Sequence, residues 1–408
     1  METQDLTNED FKLYLAIYIK KYIILYIYKM SNLIYNATQP SSLKNTYGEN
    51  DILDFIIKLP QGRSIVAGSF RLSGNMVVST TKGALTAEDS VHLDPFAGIH
   101  SVIRSVNTQV NNSTIENVQM YNRNVSMQRL ATNNLESINS SSLVLSEMCG
   151  TINNFQLLGT VPRGGLNSAS FSLLPMIAIN QGSNNLSSTK FEVIQISMTL
   201  ANAVEAFYTD HTATGPYMSD AGTAFSEIFY NLADLQLEWN EMMTQPGDND
   251  GIIMPVKHLY QQSINNETSY LNITTPQLYN SLSISFIEQS KRNSIFVNNL
   301  LCEKIKGLDL NGGSLEIMIN SGDTPIPYPI QTYQETALNY LKSLNGNIAQ
   351  NCITNAFLND TMSFGIGFSL MTASNDRVAV ALKINSEAYN YVIPAYDAFM
   401  YVNSFIQM

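Results

Sequence analysis

The sequence predicts an all-β protein built from two β-sandwiches in tandem, each with a short helix inserted between its strands. Three observations lead to this prediction: apolar and polar residues alternate along many short segments, helical patterns are few, and one turn-rich segment separates two blocks of strands. Alternation with a period of two is typical of a strand that buries one face. Many such strands without intervening helices favour sandwiches over a parallel α/β sheet.

The first block of predicted strands lies before the turn-rich segment. Its clearest patterns are SFRLSGNMVVS, FEVIQISMTLA and NLADLQLEWNE, which begin at Ser69, Phe191 and Asn231. Gly74 leaves open whether the first pattern is one long strand or a pair of strands. The side chains predicted to face the core are Phe70, Leu72, Met76, Val78, Ile194, Ile196, Met198, Leu200, Leu235, Leu237 and Trp239.

The second block repeats this alternation in SLSISF, SLEIMIN, MSFGIGFSL and RVAVALKI, which begin at Ser281, Ser314, Met362 and Arg377. We expect each of these strands, like those of the first block, to bury one face only. The side chains predicted to face the core are Leu282, Ile284, Phe286, Leu315, Ile317, Ile319, Phe364, Ile366, Phe368, Leu370, Val378, Val380, Leu382 and Ile384.

Two helices are predicted, one in each block. Ser113 to Glu116 has the spacing of a capping box, and apolar residues follow at helical spacing up to Leu130. The second helix is predicted from Tyr333 to Leu344, with Ala337, Leu338 and Leu341 as its buried stripe.

The domain boundary is predicted in TQPGDNDG, Thr244 to Gly251, because Pro, Gly, Asn and Asp favour a turn or linker. The chain has 408 residues, which exceeds the size at which a single core keeps growing. We therefore expect a first domain over residues 30–247 and a second over residues 248–408.

Residues 1–29 are predicted to be a non-native extension, with translation starting at Met30. The stretch from Leu13 to Lys29 consists almost entirely of Ile, Tyr, Lys and Leu, and its lysines leave no uncharged run long enough to span a bilayer. Acidic residues come first, which is the wrong order for a secretory signal. A flexible arm and a membrane-surface segment are the alternatives for this stretch.

Composition limits the functions that this chain can have. The formal net charge is −12, and only 14% of residues are charged. This balance argues against sequence-specific nucleic-acid binding, which needs clustered Lys and Arg. Cys149, Cys302 and Cys352 are scattered and form no paired motif, which indicates free thiols in a reducing compartment.

No pattern in the sequence predicts a catalytic residue, a metal site or a cofactor. The four histidines, His92, His100, His211 and His258, form no HxH or HxxxH pair. Asp94, His100 and Ser101 lie close together in HLDPFAGIHS, but proximity along the chain carries little weight for a catalytic triad, and a turn before a helix explains them better. A pair of carboxylates for glycoside hydrolysis stays open, because the fold and not the spacing positions such groups.

Two further segments resemble ligand motifs only in part. GDNDG opens like a calcium loop, but Ile253 stands where that loop needs glycine, and a plain turn is the better interpretation. SFGIGF has its glycines inside an alternating strand, which favours a bulge or a close backbone approach over a phosphate-binding loop.

The order of several segments resembles the double jelly-roll major capsid proteins of tailless icosahedral double-stranded DNA viruses, a lineage that includes adenoviruses and tectiviruses. The likeness is greatest to the compact capsid proteins of polinton-like viruses and virophage-like elements. It is carried by NDILDFIIKLPQGRSIVAGSFRLSGNMVV, HLDPFAGIHSVIRSVNTQV, STIENVQMYNRNVSMQRLA, ASFSLLPMIAI, FEVIQISMTLANAVEAF, YNLADLQLEWNEM, SLSISFIEQSKRNSIFVN, INSGDTPIPYPIQTYQETALNYLKSL and YDAFMYVNSFIQM. In this family, a pattern similar to IEN followed by Y and R lies on helices.

The resemblance implies two tandem eight-stranded jelly rolls and a structural role in the virion, assembled inside the host cell. The implied partners are two further copies in a homotrimer, neighbouring capsid trimers, and penton and minor capsid proteins. It implies no enzyme activity, no cofactor, no transmembrane segment and no sequence-specific contact with nucleic acid. The alternatives are a minor capsid or penton protein and, from another class, a carbohydrate-binding or hydrolytic β-sandwich protein.

Overall fold

The computed structural model describes residues 33–81, 83–84, 91–132, 168–182, 184–209, 227–248, 253–274, 279–300, 305, 313–319, 326–327, 339, 343, 364–372 and 377–407. Within these ranges strands predominate and the helices are short.

The described residues of the first half form fourteen strands, several of them only two residues long. They are β1 (Ile34–Thr38), β2 (Thr46–Tyr47), β3 (Ile52–Lys58), β4 (Arg63–Ile65), β5 (Arg71–Thr80), β6 (Gly83–Ala84), β7 (His92–Leu93), β8 (Ile103–Val110), β9 (Ser113–Val118), β10 (Ser168–Leu173), β11 (Leu186–Ser187), β12 (Val193–Leu200), β13 (Phe207–Tyr208) and β14 (Ile228–Met243). The helices are α1 (Tyr121–Thr132), α2 (Ala178–Gln181) and α3 (Ala203–Ala206), with a 3₁₀-helix at Gly98–Val102.

The longer strands of the first half form two antiparallel sheets. One has the order β1-β14-β5-β10, with the short β2, β4, β6 and β11 along its margins. The other has the order β3-β12-β8-β9. Apart from the β8–β9 hairpin, consecutive long strands alternate between the two sheets, which is the topology of a jelly roll.

The second half repeats this topology. Its strands are β15 (Ile253–Ile264), β16 (Thr268–Thr274), β17 (Tyr279–Glu288), β18 (Ser314–Ile319), β19 (Ile326–Pro327), β20 (Phe364–Thr372), β21 (Arg377–Lys383) and β22 (Tyr396–Gln407), with a 3₁₀-helix at Ser386–Tyr389. The sheets are β15-β22-β17-β20 and β16-β21-β18-β19. Taken strand by strand, these orders match those of the first half, and the predicted all-β fold of two tandem jelly rolls is confirmed.

The predicted core faces agree with the structure wherever the side chains are described. All the predicted core residues of the first block are buried. In the second block, Leu282, Ile284, Phe286, Leu315, Val378, Val380, Leu382 and Ile384 are buried. The side chains of Ile317, Ile319 and the residues of β20 lie outside the described part of the structure.

Gly74 lies within one long strand, β5, opposite a bulge in β14. The pairing of the two strands shifts between Ala233 and Gln236, and Asp234 has a left-handed φ of 52°. The bulge lets Leu232 and Leu235, three residues apart, both face the core. A Cβ atom on Gly74 would lie 2.7 Å from Leu235 Cδ2 and 3.0 Å from the Ala233 carbonyl oxygen, so only glycine fits.

The predicted start of the first helix is wrong. Ser113 to Val118 form strand β9, which pairs with β8, and α1 begins only at Tyr121. Asn111 and Asn112 have left-handed φ values of 48° and 64°, as a two-residue hairpin turn requires, and this turn places the supposed capping box in a strand. The second predicted helix lies outside the described residues except for Asn339 and Ser343, which are helical.

The expectation that every strand buries one face only fails for β17. Ser281, Ser283 and Ser285 face away from the core of the second half, yet they are buried. Ser281 Oγ donates to the Ser343 carbonyl oxygen, so part of this face is covered by the second half itself, while Ile287, farther along the same face, packs against Met120 of the first half. No sheet of the described residues combines strands from both halves. The last strand of the first half, β14, ends at Met243, and the first strand of the second half, β15, begins at Ile253.

Candidate functional site

Several buried polar and charged side chains, among them Asp94, Glu116 and Arg123, lie at the junction between the two jelly rolls. Phe399, Tyr401 and Ile287 point outward from their sheet and form an apolar cluster with Met120 of the first half. Tyr401 Oη donates a hydrogen bond to the Met120 carbonyl oxygen at 3.3 Å. Met120 has a left-handed φ of 49°, an uncommon conformation for a non-glycine residue, and it immediately precedes α1.

Arg123, on α1, joins the two halves. Its side chain is 1% exposed, its guanidinium carbon lies 4.5 Å from the centre of the Phe399 ring, and Nη2 donates to the Asn299 carbonyl oxygen. Asn299 Nδ2 in turn donates to the carbonyl oxygens of Val204, at 2.7 Å, and Ser294, at 3.1 Å. These bonds fix the loop after β17 against the first half.

The same loop also contacts Asp94. Its carboxylate is fully buried and accepts hydrogen bonds from the backbone N–H groups of Phe96, at 2.9 Å, and Ala97, at 2.6 Å, and from Asn298 Nδ2, at 2.8 Å. Burial raises the pKa of Asp94, although the hydrogen bonds from Ala97 and Asn298 act in the opposite direction. Ile295 and Leu300 extend this contact because they belong to the core of the first half.

Asp94, His100 and Ser101 do not assemble a triad. His100 Nδ1 lies 2.8 Å from Tyr121 Oη, and Nε2 lies 3.2 Å from Arg129 Nη2. Asp94 binds the turn that precedes the 3₁₀-helix, as the interpretation of this segment as a turn before a helix predicted. All three residues are buried, so the arrangement stabilises the fold around this turn.

The remaining histidines lie apart from one another. His258 Nε2 contacts Ser404 Oγ at 3.0 Å, and the ring of His92 lies 5.2 Å from that of Tyr208. His211 is outside the described residues. Within the described ranges, no three His, Cys, Asp or Glu side chains group so that they could hold a metal ion.

The segments that resemble ligand motifs are structural where they are described. The Asp248 carboxylate accepts hydrogen bonds from the Gln245 N–H, at 2.9 Å, and from Asn185 Nδ2, at 3.1 Å, and so closes the turn after β14. The SFGIGF segment forms most of β20, which pairs with β17. Its assignment to a strand is therefore confirmed.

A buried acid and a lysine lie at the contact of β9 with β15. Glu116 is 3% exposed and accepts the Ala178 N–H at 2.7 Å, while Lys257 is partly buried and donates to Gln128 Oε1. Burial raises the pKa of Glu116 to about 7 and lowers the pKa of Lys257 to about 8, and the attraction between the two charges opposes both shifts.

A cleft of about 220 Å³ opens at the junction between Arg104, Arg123 and Arg292. Arg104 Nε lies 3.8 Å from Glu205, and Arg292 Nη1 lies 2.6 Å from Asp397. Acidic partners therefore balance two of the three guanidinium groups, and the cleft offers no convergent set of catalytic groups.

The outward face of β1-β14-β5-β10, in contrast, is open within the chain. We call it the outer face; it consists of Tyr35, Arg71, Ser73, Asn75, Val77, Phe229, Asn231, Gln236, Glu238 and Asn240. Tyr35 is 61% exposed, Phe229 43% and Val77 38%. Asn75 Nδ2 donates to Asp234 at 2.8 Å, and a cleft of about 510 Å³ lies beside Tyr35 and Trp239.

Sequence reasoning did not identify the junction residues as functional. Several segments of the capsid resemblance contain junction residues, and one of them, the IEN, Y and R pattern, includes Glu116, Tyr121 and Arg123. The structure divides this pattern: Ile115 to Asn117 lie in β9, and Tyr121 and Arg123 lie on α1, so the implied helix for the first part is wrong.

Comparison with solved structures finds the same fold over about nine-tenths of the chain. The Faustovirus major capsid protein superposes with a TM-score of 0.59 at 7% identity, over 92% of this chain and 90% of that chain. The chain has the double jelly-roll fold of that protein. The double jelly roll of the mavirus major capsid protein gives a TM-score of 0.51 at 10% identity, over 93% and 90% of the two chains.

A chain in the cryo-EM structure of the Sputnik virophage also shares the double jelly roll, with a TM-score of 0.56 at 10% identity over 92% of this chain and 85% of that one. No protein-family model matches the sequence, and no curated protein is detectably similar to it. Among the described helices, none has the length and apolar character that crossing a bilayer requires.

Proposed function

We propose that this chain is a major capsid protein, which forms homotrimers that tile an icosahedral virus shell. The observation that carries the proposal is the presence of two complete jelly rolls with the same strand order in one chain, superposable over about nine-tenths of its length on proteins named as major capsid proteins. These proteins are at most 10% identical to this chain. The structural likeness therefore shows a shared fold, and the role in the capsid is our proposal.

The repeat of the jelly roll supports a head-to-tail trimer. Within one chain, the outward face of β15-β22-β17-β20 is covered by α1 and its neighbours in the first half. The corresponding sheet of the first half presents the outer face, on which the apolar side chains Tyr35, Val77 and Phe229 are exposed. A second copy that places its second half on the outer face would repeat the contact inside the chain.

Such a contact joins different surfaces of two copies, and three copies related by a rotation would close a ring. We expect each interface to exceed the ~1,000 Å² that is typical of specific assemblies. Neighbouring trimers, penton proteins and minor capsid proteins are the further proposed partners, and the virion is the proposed location. In this role the chain needs no catalytic group and no cofactor.

The alternatives fit the structure less well. A minor capsid or penton protein more often carries one jelly roll, whereas this chain has two. A carbohydrate-binding protein often exposes Trp as a platform for the sugar, but the one Trp of this chain, Trp239, is 7% exposed and donates Nε1–H to Glu241 at 2.8 Å.

The mass and copy number of this chain in purified virus particles test the role. We expect a major capsid protein to be the most abundant protein of the particle, with three copies in each trimeric capsomer. A chain found at only a few copies per vertex would favour a penton protein, and its absence from particles would contradict any capsid role.

A further inference from the structure

The contact of β9 with β15 brings two opposite charges from the two halves into the interior. Glu116 belongs to the first jelly roll and Lys257 to the second. Each has a neutral hydrogen-bond partner from the first half, the Ala178 N–H for Glu116 and Gln128 Oε1 for Lys257. Lys257 is the charged group that acts on Glu116, and Glu116 is the charged group that acts on Lys257.

The other titratable or charged groups on the surrounding elements have partners of their own. They are His258 and Tyr260 on β15, Arg104 on β8, Tyr121, Arg123 and Arg129 on α1, and Asp397, Tyr396 and Tyr401 on β22. The Tyr260 and Tyr401 hydroxyl groups donate to the carbonyl oxygens of Thr274 and Met120, Tyr121 Oη contacts His100 Nδ1, and Tyr396 Oη contacts Tyr389 Oη. His258 contacts Ser404, Arg104 pairs with Glu205, and Asp397 pairs with Arg292. Arg123 contacts Phe399 and Asn299, Arg129 contacts His100, and α2 carries no titratable side chain.

We propose that Glu116 and Lys257 make the packing of the two jelly rolls proton-dependent, with the junction weakest when both side chains are charged. Burying two ions costs more solvation energy than their mutual attraction returns unless their geometry is nearly ideal. Loss of one charge, by proton uptake on Glu116 or proton release from Lys257, removes part of this cost.

The direction of the pH dependence follows from the two pKa values. Between 4.5, the ordinary value for Glu, and about 7, folded Glu116 retains a proton that the unfolded chain has lost, so stability falls as pH rises. Between about 8 and 10.5, the ordinary value for Lys, the unfolded chain retains a proton that folded Lys257 has lost, so stability rises with pH. The pair therefore contributes a stability minimum between about pH 7 and pH 8.

This inference concerns the folded chain and does not depend on the capsid role. If the chain does form a shell, the same pair would make the capsomer tighter in mildly acidic surroundings than at neutral pH. A failure of assembly would contradict the proposed function and leave the junction inference intact.

The experiment is the melting temperature of the full chain from pH 5.5 to pH 10, for the wild type, Glu116→Gln, Lys257→Met and the double variant. The Gln amide oxygen can still accept the Ala178 N–H, so Glu116→Gln keeps this hydrogen bond and removes the titration together with the negative charge that attracts Lys257. We expect the melting temperature of the wild type to fall from pH 5.5 to 7.5 more steeply than that of Glu116→Gln. Lys257→Met should lose the rise above pH 8, and the double variant should lose both slopes.

Hydrogen exchange locates the effect. After correction for the intrinsic pH dependence of exchange, amides of β9 and β15 should be better protected at pH 6 than at pH 7.5 in the wild type, whereas β3 and β12 should not change. If Glu116→Gln fails to fold, the melting curves of Lys257→Met and the hydrogen exchange of the wild type still test whether the packing depends on pH. Identical pH slopes in the wild type and the folded variants, or protection that changes equally in all strands, would overturn the proposal.

Discussion

The guanidinium of Arg123 lies 4.5 Å from the centre of the Phe399 ring, and this contact joins the first jelly roll to the last strand of the second. A guanidinium over an aromatic face gains cation–π attraction, which increases when both groups are shielded from water. Arg123 also donates a hydrogen bond to the Asn299 carbonyl oxygen. Both contacts of this buried guanidinium are with the second half, so Arg123 joins the two jelly rolls.

Replacing Arg123 with Leu should therefore destabilise the protein by about 2–4 kcal/mol, because it removes the cation–π contact and leaves a buried carbonyl oxygen without this donor. Urea unfolding of the full chain measures the change. Arg104→Leu is the matched control: Arg104 is 39% exposed and its ion pair with Glu205 is long, so we expect a loss below about 1 kcal/mol. Equal losses for the two variants would contradict the assigned role of Arg123.

Gly74→Ala should destabilise the first jelly roll by about 1–3 kcal/mol, the usual cost of overpacking. The new methyl group would meet Leu235 at 2.7 Å, the Ala233 carbonyl oxygen at 3.0 Å and the Phe171 ring at 3.1 Å. Gly48→Ala is the control, because its nearest neighbours would be 3.4 Å and 3.6 Å away. Thermal unfolding compares them, and a melting temperature unchanged by Gly74→Ala would show that the bulge of β14 is placed wrongly.

Leu235→Asp should abolish soluble expression, since an unpaired carboxylate in the core costs at least about 4 kcal/mol. Leu235 is 3% exposed on the inner face of β14. Asn231→Asp, on the exposed outer face of the same strand, should express normally. The yield of folded protein is the measurement, and folded protein from Leu235→Asp would mean that the two faces of β14 are reversed.

Charge on the outer face should prevent association without unfolding the chain. Phe229→Asp and Tyr35→Asp each place a carboxylate on an exposed position, so the fold should persist while the proposed contact between copies is lost. Tyr270→Asp is the control, because Tyr270 is 54% exposed on β16, away from the outer face. Circular dichroism shows whether each variant is folded, and light scattering shows whether it associates. Association unaffected by both outer-face variants would exclude this face as the contact.

Alternation alone was enough to predict several of the long strands. Strand β12 carries apolar residues at every second position, as does β14 on either side of its bulge, and burial of one face imposes that pattern directly. The pattern of β9 was misread, because Ser113 and Glu116 have the spacing of a helix cap as well as that of a strand. The Asn111–Asn112 pair was the overlooked signal, since Asn tolerates the left-handed conformation that a two-residue hairpin needs.

The junction could not be predicted in the same way. Ser281, Ser283 and Ser285 read as a solvent-exposed face, and only the tertiary structure shows that they are buried. Arg123 and Lys257 likewise have the residue types of a surface, and their burial depends on contacts between residues far apart in the chain. Side chains of this kind become visible as functional candidates only when the tertiary arrangement is known.

The most direct test of the capsid account is the mass in solution of the recombinant chain, measured by light scattering with and without reductant and across a range of salt concentrations. We predict a trimer of about three times the 45.3 kDa chain mass that survives reductant, because the sequence offers no paired cysteine motif. It should also tolerate moderate salt, unlike an assembly held together by nucleic acid. A stable monomer under every condition would contradict the account.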